Sequence, residues 1–305
     1  MGADMSTRRV QVIDVAGTPR QRGRQQGEGA RQQIAGMIAA YRELLPAGLK
    51  MTWEETVRQA RKHLPYAEAA LPHFVEELRG IAEGADVPFE DAWALNCAEE
   101  LADGRRSSGC TTLAVRGDLT ADGHVLLAHN EDWTSVDRDH VYLLRARPDD
   151  APAFLAMTYG PLLANVGLNE EGIAVGINSV YPTDGRAGVP RILFSRAILA
   201  ARVIGQAISA CLHRERAGGY HSLLADEHGE LYGVETSATA QALLYGEEGW
   251  LVHTNHYLAP AMQPLERPRP YVGSHVRLNR ARRLLQAQLG SVTCLLYTSP
   301  SPRDS

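Results

Sequence analysis

The amino-acid sequence predicts an α+β protein built as two stacked antiparallel sheets with helices on their outer faces. Three observations carry this. The first hundred residues keep their apolar positions at helical spacing. Near Gly104 the character changes to short apolar and β-branched runs with a turn signal about every ten residues. A second helical stretch then separates this block of strands from another. Hairpin-linked strands form antiparallel sheets, and two such blocks bury their apolar faces by stacking. A doubly wound parallel fold needs strict strand–helix alternation, which is absent.

Residues 10–15 read as a short strand. Over 19–45 the apolar residues Ile34, Met37, Ile38, Tyr41 and Leu45 fall on one helical face. Thr52 followed three residues later by Glu55 has the form of a capping box and predicts a helix start. Pro65 and Pro72 divide the next region into short helices, and Pro88 opens another that runs to about Ala102. Residues 105–109 (Arg-Arg-Ser-Ser-Gly) are small and polar. Strands are expected over 110–116, 125–128, 141–147, 153–158, 162–168 and 173–178, with turns at Ala121-Asp122-Gly123 and Asn169 to Gly172. A helical stretch covers 190–213, four more strands follow at 221–225, 231–235, 241–245 and 250–254, and a last helix, basic on one face, covers 274–289. The segment 292–305 has neither period. It resembles the translated read-through of a sequencing adapter, so the expectation is a non-native tail on a chain truncated near Ser291.

Composition excludes several functions. Hydrophobic residues make up 44% and charged residues 22%, ordinary values for a globular chain. The formal net charge of −5 leaves no basic footprint for nucleic acid. Lys50 and Lys62 are the only lysines, which argues against a Schiff-base enzyme or a phosphate-loop lysine. Cys97, Cys110, Cys211 and Cys294 are scattered with no Cys-x-x-Cys pair, so a reduced, cytoplasmic protein is expected. No run approaches the ~18 apolar residues of a membrane span, and the N-terminus has no apolar core suited to secretion. Met1 to Ser6 fits the loose myristoylation pattern, which reads as a chance match.

The chemistry concentrates at Ser108-Gly109-Cys110-Thr111-Thr112-Leu113, where the helical part meets the β part. A cysteine opening a strand after a small-residue loop is ordinarily a buried hydrophobe. It also suits one special chemistry. If the Gly109–Cys110 bond is cut, the new α-amine and the thiol sit on one residue. An α-amine titrates near about 8 and a thiol near about 8.5, so the amine can take the thiol proton. One residue then supplies nucleophile and base. Gly109 tolerates the backbone that internal attack requires. His129-Asn130-Glu131-Asp132-Trp133 lies at the end of the strand that should pair with Cys110, so a hairpin would return Asp132 to its side. Asp132 there could hold the new amine by a charge-assisted hydrogen bond. Asn178 and Asn255, each ending a strand, are amide donors suited to an oxyanion, although strand-end asparagines are more often caps. His253 and His256 are too few and too close to make a metal site. They remain open as the base of a conventional cysteine hydrolase.

These motifs carry a resemblance. Gly-Cys-Thr-Thr at 109–112, Asn130-Glu131-Asp132-Trp133, the Asn-Glu-x-Gly run from Asn169 to Asn178, and Thr254-Asn255-His256 stand in the order and at the intervals of the acyl-coenzyme A:6-aminopenicillanic acid acyltransferase family. That family belongs to the N-terminal-nucleophile hydrolases and is related to the choloylglycine hydrolases and acid ceramidase. The resemblance runs from about Val12 to Leu289. It implies an αββα sandwich and a zymogen that cuts itself between Gly109 and Cys110. It implies an N-terminal helical pro-segment, 1–109, that stays bound to a catalytic piece, 110–291. Cys110 is then the nucleophile, Asp132 holds its amine, and Asn178 and Asn255 bind the oxyanion. Ser274 and Arg277 match a Ser/Arg pair that completes such sites, and Trp133, Tyr159 and Tyr181 are candidates for the substrate wall. The expected activity is amide hydrolysis or acyl transfer through an acyl-cysteine, with no metal and no bound cofactor. The expected partners are a small-molecule amide or acyl thioester, with acyl-coenzyme A as donor in a transferase. To these are added the cleaved N-terminal fragment and, left open, a second copy of the chain; neither nucleic acid nor membrane is among them. The competing reading is a non-catalytic scaffold or binding relative of the same fold. Penicillin chemistry does not transfer with the fold, which hosts many substrates.

Overall fold

The computed structural model describes residues 10–102, 109–132, 134–268 and 272–293. Its elements follow the predicted order, with shifted boundaries. Strand β1 (Val12–Gly17) leads into α1 (Pro19–Gly29) and α2 (Arg31–Leu49). The helix expected over 19–45 is thus two helices that break at Ala30. Helix α3 (Trp53–Ala60) begins at the predicted Thr52–Glu55 capping box, with Glu55 N–H donating to Thr52 Oγ1 at 3.2 Å. Helices α4 (Leu64–Ala70), α5 (Pro72–Ala85), α6 (Phe89–Asn96) and α7 (Ala98–Ala102) complete the N-terminal part.

The β part comprises β2 (Gly109–Val115), β3 (Leu126–Asp132), β4 (Val141–Pro148), β5 (Phe154–Tyr159), β6 (Val166–Asn169) and β7 (Ala174–Asn178). Helices α8 (Arg191–Ile198) and α9 (Ile204–Cys211) follow, then β8 (His221–Ala225), β9 (Leu231–Thr236), β10 (Gln241–Tyr245), β11 (Trp250–His253) and α10 (Val272–Gln286). Val292, the first residue of the expected tail 292–305, is buried with Leu278 and Leu285 of α10 and bridges Thr120, while residues 294–305 lie outside the described residues.

The two strand blocks do not form one sheet each. An eight-stranded sheet runs β1-β4-β5-β6-β7-β8-β9-β10, and a three-stranded sheet runs β11-β2-β3. All pairings are antiparallel except β1 on β4. The small sheet therefore takes its outer strand from the far end of the chain, and the large one takes its first strand from the predicted pro-segment. Side chains alternate across β2. Leu113 and Val115 pack with Leu278 and Leu285 of α10, and Ala114 packs with Leu223, Ala225 and Leu231 of the large sheet. Gly176 lets the sheets approach, since a Cβ there would lie 3.1 Å from the Thr112 methyl. With α1 and α9 against the other face of the large sheet, the layers are α, β, β, α.

The helical layer closes on glycines. Gly23 and Gly27 on α1 face Gly80 and Gly84 on α5, each pair four residues apart and so on one helical face. A methyl group at Gly84 would sit 2.0 Å from the Arg24 carbonyl oxygen. This close crossing brings Arg22 to Glu77, and both are fully buried. Arg196 of α8 meets Glu77 through Nε at 2.9 Å and Nη2 at 3.0 Å, while Arg22 Nη2 donates at 2.9 Å. Burial pushes the Glu77 carboxyl up, but the two guanidiniums outweigh it and hold it below its ordinary value. Arg196 also lies over the rings of Phe74 and Phe154. The ion triad and the β1–β4 pairing tie residues before Gly109 to residues after it.

Candidate active site

Cys110 is 2% exposed. It sits at the start of β2, with Thr112 and Ala114 on the same face, toward the large sheet. The predicted hairpin forms, pairing Gly109 with Asp132 and Cys110 with Glu131. Residues directly opposite in an antiparallel pair share a face, so Glu131 is the carboxylate beside the thiol. Asp132 lies beside Gly109, where a Cβ would be 3.2 Å from its Oδ2, and its side chain is exposed.

The Cys110 backbone is held on both sides. Its N–H donates to Asn255 Oδ1 at 2.8 Å, and its carbonyl accepts from Arg277 Nη1 at 2.6 Å. Arg277 Nη2 also donates to Asn255 Oδ1 at 2.8 Å. Asn255 Nδ2 donates to the Ser179 carbonyl at 3.0 Å, which brings Ser179 next to Cys110. Asn255 is fixed in turn by Ser274, whose Oγ accepts the Asn255 N–H at 2.8 Å and lies 2.7 Å from His256 Nδ1. The Asn255, Ser274 and Arg277 singled out in the sequence thus meet at Cys110, although Ser274 is 5% exposed and supports the site from beneath. The group on the Cys110 nitrogen is Asn255, where the sequence pointed to Asp132.

Asn178 stands one step deeper. Its Oδ1 accepts from Thr112 Oγ1 at 2.6 Å and from His221 Nδ1 at 2.8 Å. Its Nδ2 is buried without a partner. His221 stacks on His253 at 3.4 Å, and His253 Nε2 donates to Glu235 at 2.8 Å. The hydrogen bonds of His253 and His256 therefore go to Glu235, Thr254 and Ser274, with none to Cys110. Among the described residues no group of three or more His, Cys, Asp or Glu is placed to hold a metal. No helix among them is long and apolar enough to cross a membrane.

Burial drives the Cys110 thiol well above the ordinary range, and the Glu131 and Glu99 charges push the same way. The Ser179 backbone amide and the Asn255 side chain oppose them as hydrogen-bond partners of the sulfur. Burial also raises Glu131, but His129, Arg191 and the Tyr159 hydroxyl, which donates at 3.0 Å, hold it below its usual value. Tyr159 therefore supports Glu131 and is not a wall of the open cleft. Trp133 lies outside the described residues.

A cleft of about 530 Å³ runs from Ser179 to the protein surface. One wall is Leu49, Met51 and Glu99 from before Gly109; the other is Val180, Tyr181 and Arg191 from after it. Glu100 lines it too, with Oε1 accepting the Arg191 N–H at 2.7 Å and Oε2 buried and unpartnered. Burial, reinforced by Glu99, pushes its carboxyl up to about 7. A raised carboxyl stabilises the fold fully below its ordinary value of 4.5 and loses that contribution as pH rises through about 7. Glu100→Gln is therefore expected to gain melting temperature relative to the wild type between pH 4.5 and 8, read from thermal scans of both across that range.

The model of the family described as acyl-coenzyme A:6-aminopenicillanic acid acyl-transferase matches residues 119–292, more than half of the chain. The chain belongs to that family. The family match takes in Asp132, Asn178, Asn255, Ser274 and Arg277 and begins nine residues after Cys110. The chain is 26% identical over 280 residues to the acyl-coenzyme A:6-aminopenicillanic-acid-acyltransferase 40 kDa form of Emericella nidulans, covering 90% of this chain and 76% of that protein. It is 27% identical over 159 residues to the beta-alanyl-dopamine/carcinine hydrolase of Drosophila melanogaster, covering 45% of this chain and 40% of that one. Among solved structures, penicillin V acylase from Agrobacterium tumefaciens aligns with a TM-score of 0.36 at 13% identity, over 64% of this chain and 67% of that one. A mutant conjugated bile acid hydrolase from Clostridium perfringens aligns with a TM-score of 0.36 at 16% identity, over 50% of this chain and 54% of that one. Family membership places the chain among acyl-transferring and hydrolytic enzymes.

Sequence reasoning quoted Glu131 without giving it a role and missed Ser179, Glu99 and Arg191. The hairpin register was the available signal for Glu131. Ser179 follows Asn178 directly. Nothing in the sequence joins Glu99 to Cys110.

Proposed function

We propose that the protein is a self-processing cysteine amidohydrolase or acyltransferase of the N-terminal-nucleophile type. The observation that carries this is the frame around Cys110. Asn255 holds its nitrogen and Arg277 its carbonyl oxygen, and neither contact depends on the bond to Gly109. In processing, Cys110 Sγ attacks the Gly109 carbonyl carbon, the C–N bond breaks, and the nitrogen gains the thiol proton. Water then hydrolyses the thioester, leaving a Gly109 carboxylate and a free α-amine. Asp132, across from Gly109, is the acid next to the bond that breaks.

In turnover the amine takes the thiol proton, and sulfur attacks an amide or thioester carbonyl lodged at the Ser179 end of the cleft. The oxyanion is received by Asn255 and by the unpartnered Nδ2 of Asn178. The leaving group departs with the proton from the ammonium, and water or an amine takes the acyl group from sulfur. Burial alone disfavours a thiolate here, so the amine made by processing is what makes the sulfur reactive. The N-terminal piece remains part of the enzyme because it forms one wall of the cleft. The test is intact mass after incubation with a panel of acyl amides and acyl thioesters, acyl-coenzyme A included. An acyl adduct on the fragment beginning at Cys110 is expected with the substrate class. Adducts confined to other residues overturn the assignment.

A further inference from the structure

The N-terminal piece also reaches the reacting centre through the Glu99 carboxylate. Ser179 follows the last residue of β7 and is 2% exposed. Its Oγ donates to Glu99 Oε2 at 3.2 Å and lies 3.5 Å from Tyr220 Oη. Glu99 Oε1 accepts from Arg191 Nη2 at 2.5 Å. Arg191 Nη1 donates to Asn165 Oδ1 at 2.7 Å, and the guanidinium lies 4.3 Å from the Tyr220 ring centroid. The Arg191 side chain is 10% exposed and that of Glu99 22%, so the pair is little screened by water. Ser179 is thus gripped at Oγ by Glu99 and at its carbonyl by Asn255, the residue whose Oδ1 accepts the Cys110 N–H.

We infer that Glu99 is a positioning residue for the oxyanion: through Ser179 Oγ it aims the Ser179 N–H at the point where charge develops beside Cys110. Glu99 precedes the cleavage junction and Ser179 follows it, so the oxyanion site is completed only while the two pieces stay together. Donors at such a site act by being fixed beforehand, and a displacement of about 1 Å costs on the order of a hundredfold in rate. The inference rests on Cys110 being the nucleophile.

Two reagents separate oxyanion stabilisation from thiol reactivity. Acylation of Cys110 by 4-nitrophenyl acetate forms a C–S bond through a tetrahedral oxyanion and expels 4-nitrophenolate. Alkylation by iodoacetamide forms a C–S bond and expels iodide with no oxyanion. Ser179→Ala leaves the Glu99–Arg191 pair intact. It is expected to lower the acylation rate about ten- to a hundredfold while alkylation stays within about twofold. Ser179→Thr, which keeps the hydroxyl, restores acylation, and Glu99→Gln lowers acylation even though loss of its charge eases ionisation of the thiol and leaves alkylation no slower than in the wild type. An unchanged acylation rate in Ser179→Ala, or equal losses in both reactions, overturns the inference. Failure of the underlying reading looks different: wild-type Cys110 then reacts with neither reagent.

Discussion

Wild-type protein is expected to resolve under denaturing conditions into two chains, residues 1–109 and 110–305, with Cys110 as the second N-terminus. Cys110→Ala is expected to remain one chain and to lose acyl transfer and hydrolysis by about 10⁴- to 10⁶-fold. The size follows from the double duty of one side chain. Without sulfur there is no attack on Gly109, so no α-amine appears, and there is no acyl carrier either. The fold itself should survive, because Cys110→Ala removes one small buried group and leaves the Asn255 and Arg277 contacts, which are to the backbone. Circular dichroism of the variant matching that of the wild type, together with N-terminal sequencing, checks both halves. A wild-type chain that keeps the Gly109–Cys110 bond after folding would leave the family fold standing and remove the proposed chemistry.

The second large effect is on stability. Glu77→Ala is expected to cost about 3–5 kcal/mol, because it leaves two buried guanidiniums facing each other without their carboxylate. Arg22 keeps partial compensation from Asp150 at 2.9 Å and the Gly17 carbonyl at 2.7 Å, whereas among the described residues Arg196 pairs with no carboxylate but Glu77. The double change Glu77→Leu with Arg196→Met should therefore cost less than Glu77→Ala, since it removes the orphaned charge along with its partner. Urea denaturation of the three proteins measures this. In processed protein the same triad holds the two pieces together, so the fragments should co-elute under native conditions and separate earlier in urea when Glu77 is lost.

Several features were legible because they are local. The Thr52–Glu55 box, the switch from period 3.6 to period 2 near Gly104, and the hairpin that returns Asn130 to Asp132 to the Gly109–Cys110 end each depend on neighbours a few residues to a few tens of residues apart. The Gly-Cys-Thr-Thr junction and the asparagines at strand ends were visible as residue types suited to a task. Less legible was which of them touch. Asp132 and Glu131 are adjacent in sequence, yet the pleat sends them to opposite faces. The one opposite Cys110 is Glu131, which the register of the β2–β3 pair decides.

The sequence by itself determined the element types and order, the α+β class and the candidate nucleophile, because periodicity and turn chemistry act over short stretches of chain. Only the tertiary structure decided that β11 rather than a neighbour flanks β2, that β1 joins the large sheet in parallel, and that Asn255 sits on the Cys110 nitrogen. Only it decided that Glu99, paired with Arg191, reaches Ser179. The physical reason is common to all of these. Strand pairing and buried ion pairs bring together residues tens to more than a hundred positions apart, and the free energy that selects them comes from burial and charge compensation across the whole core, which no window of sequence contains.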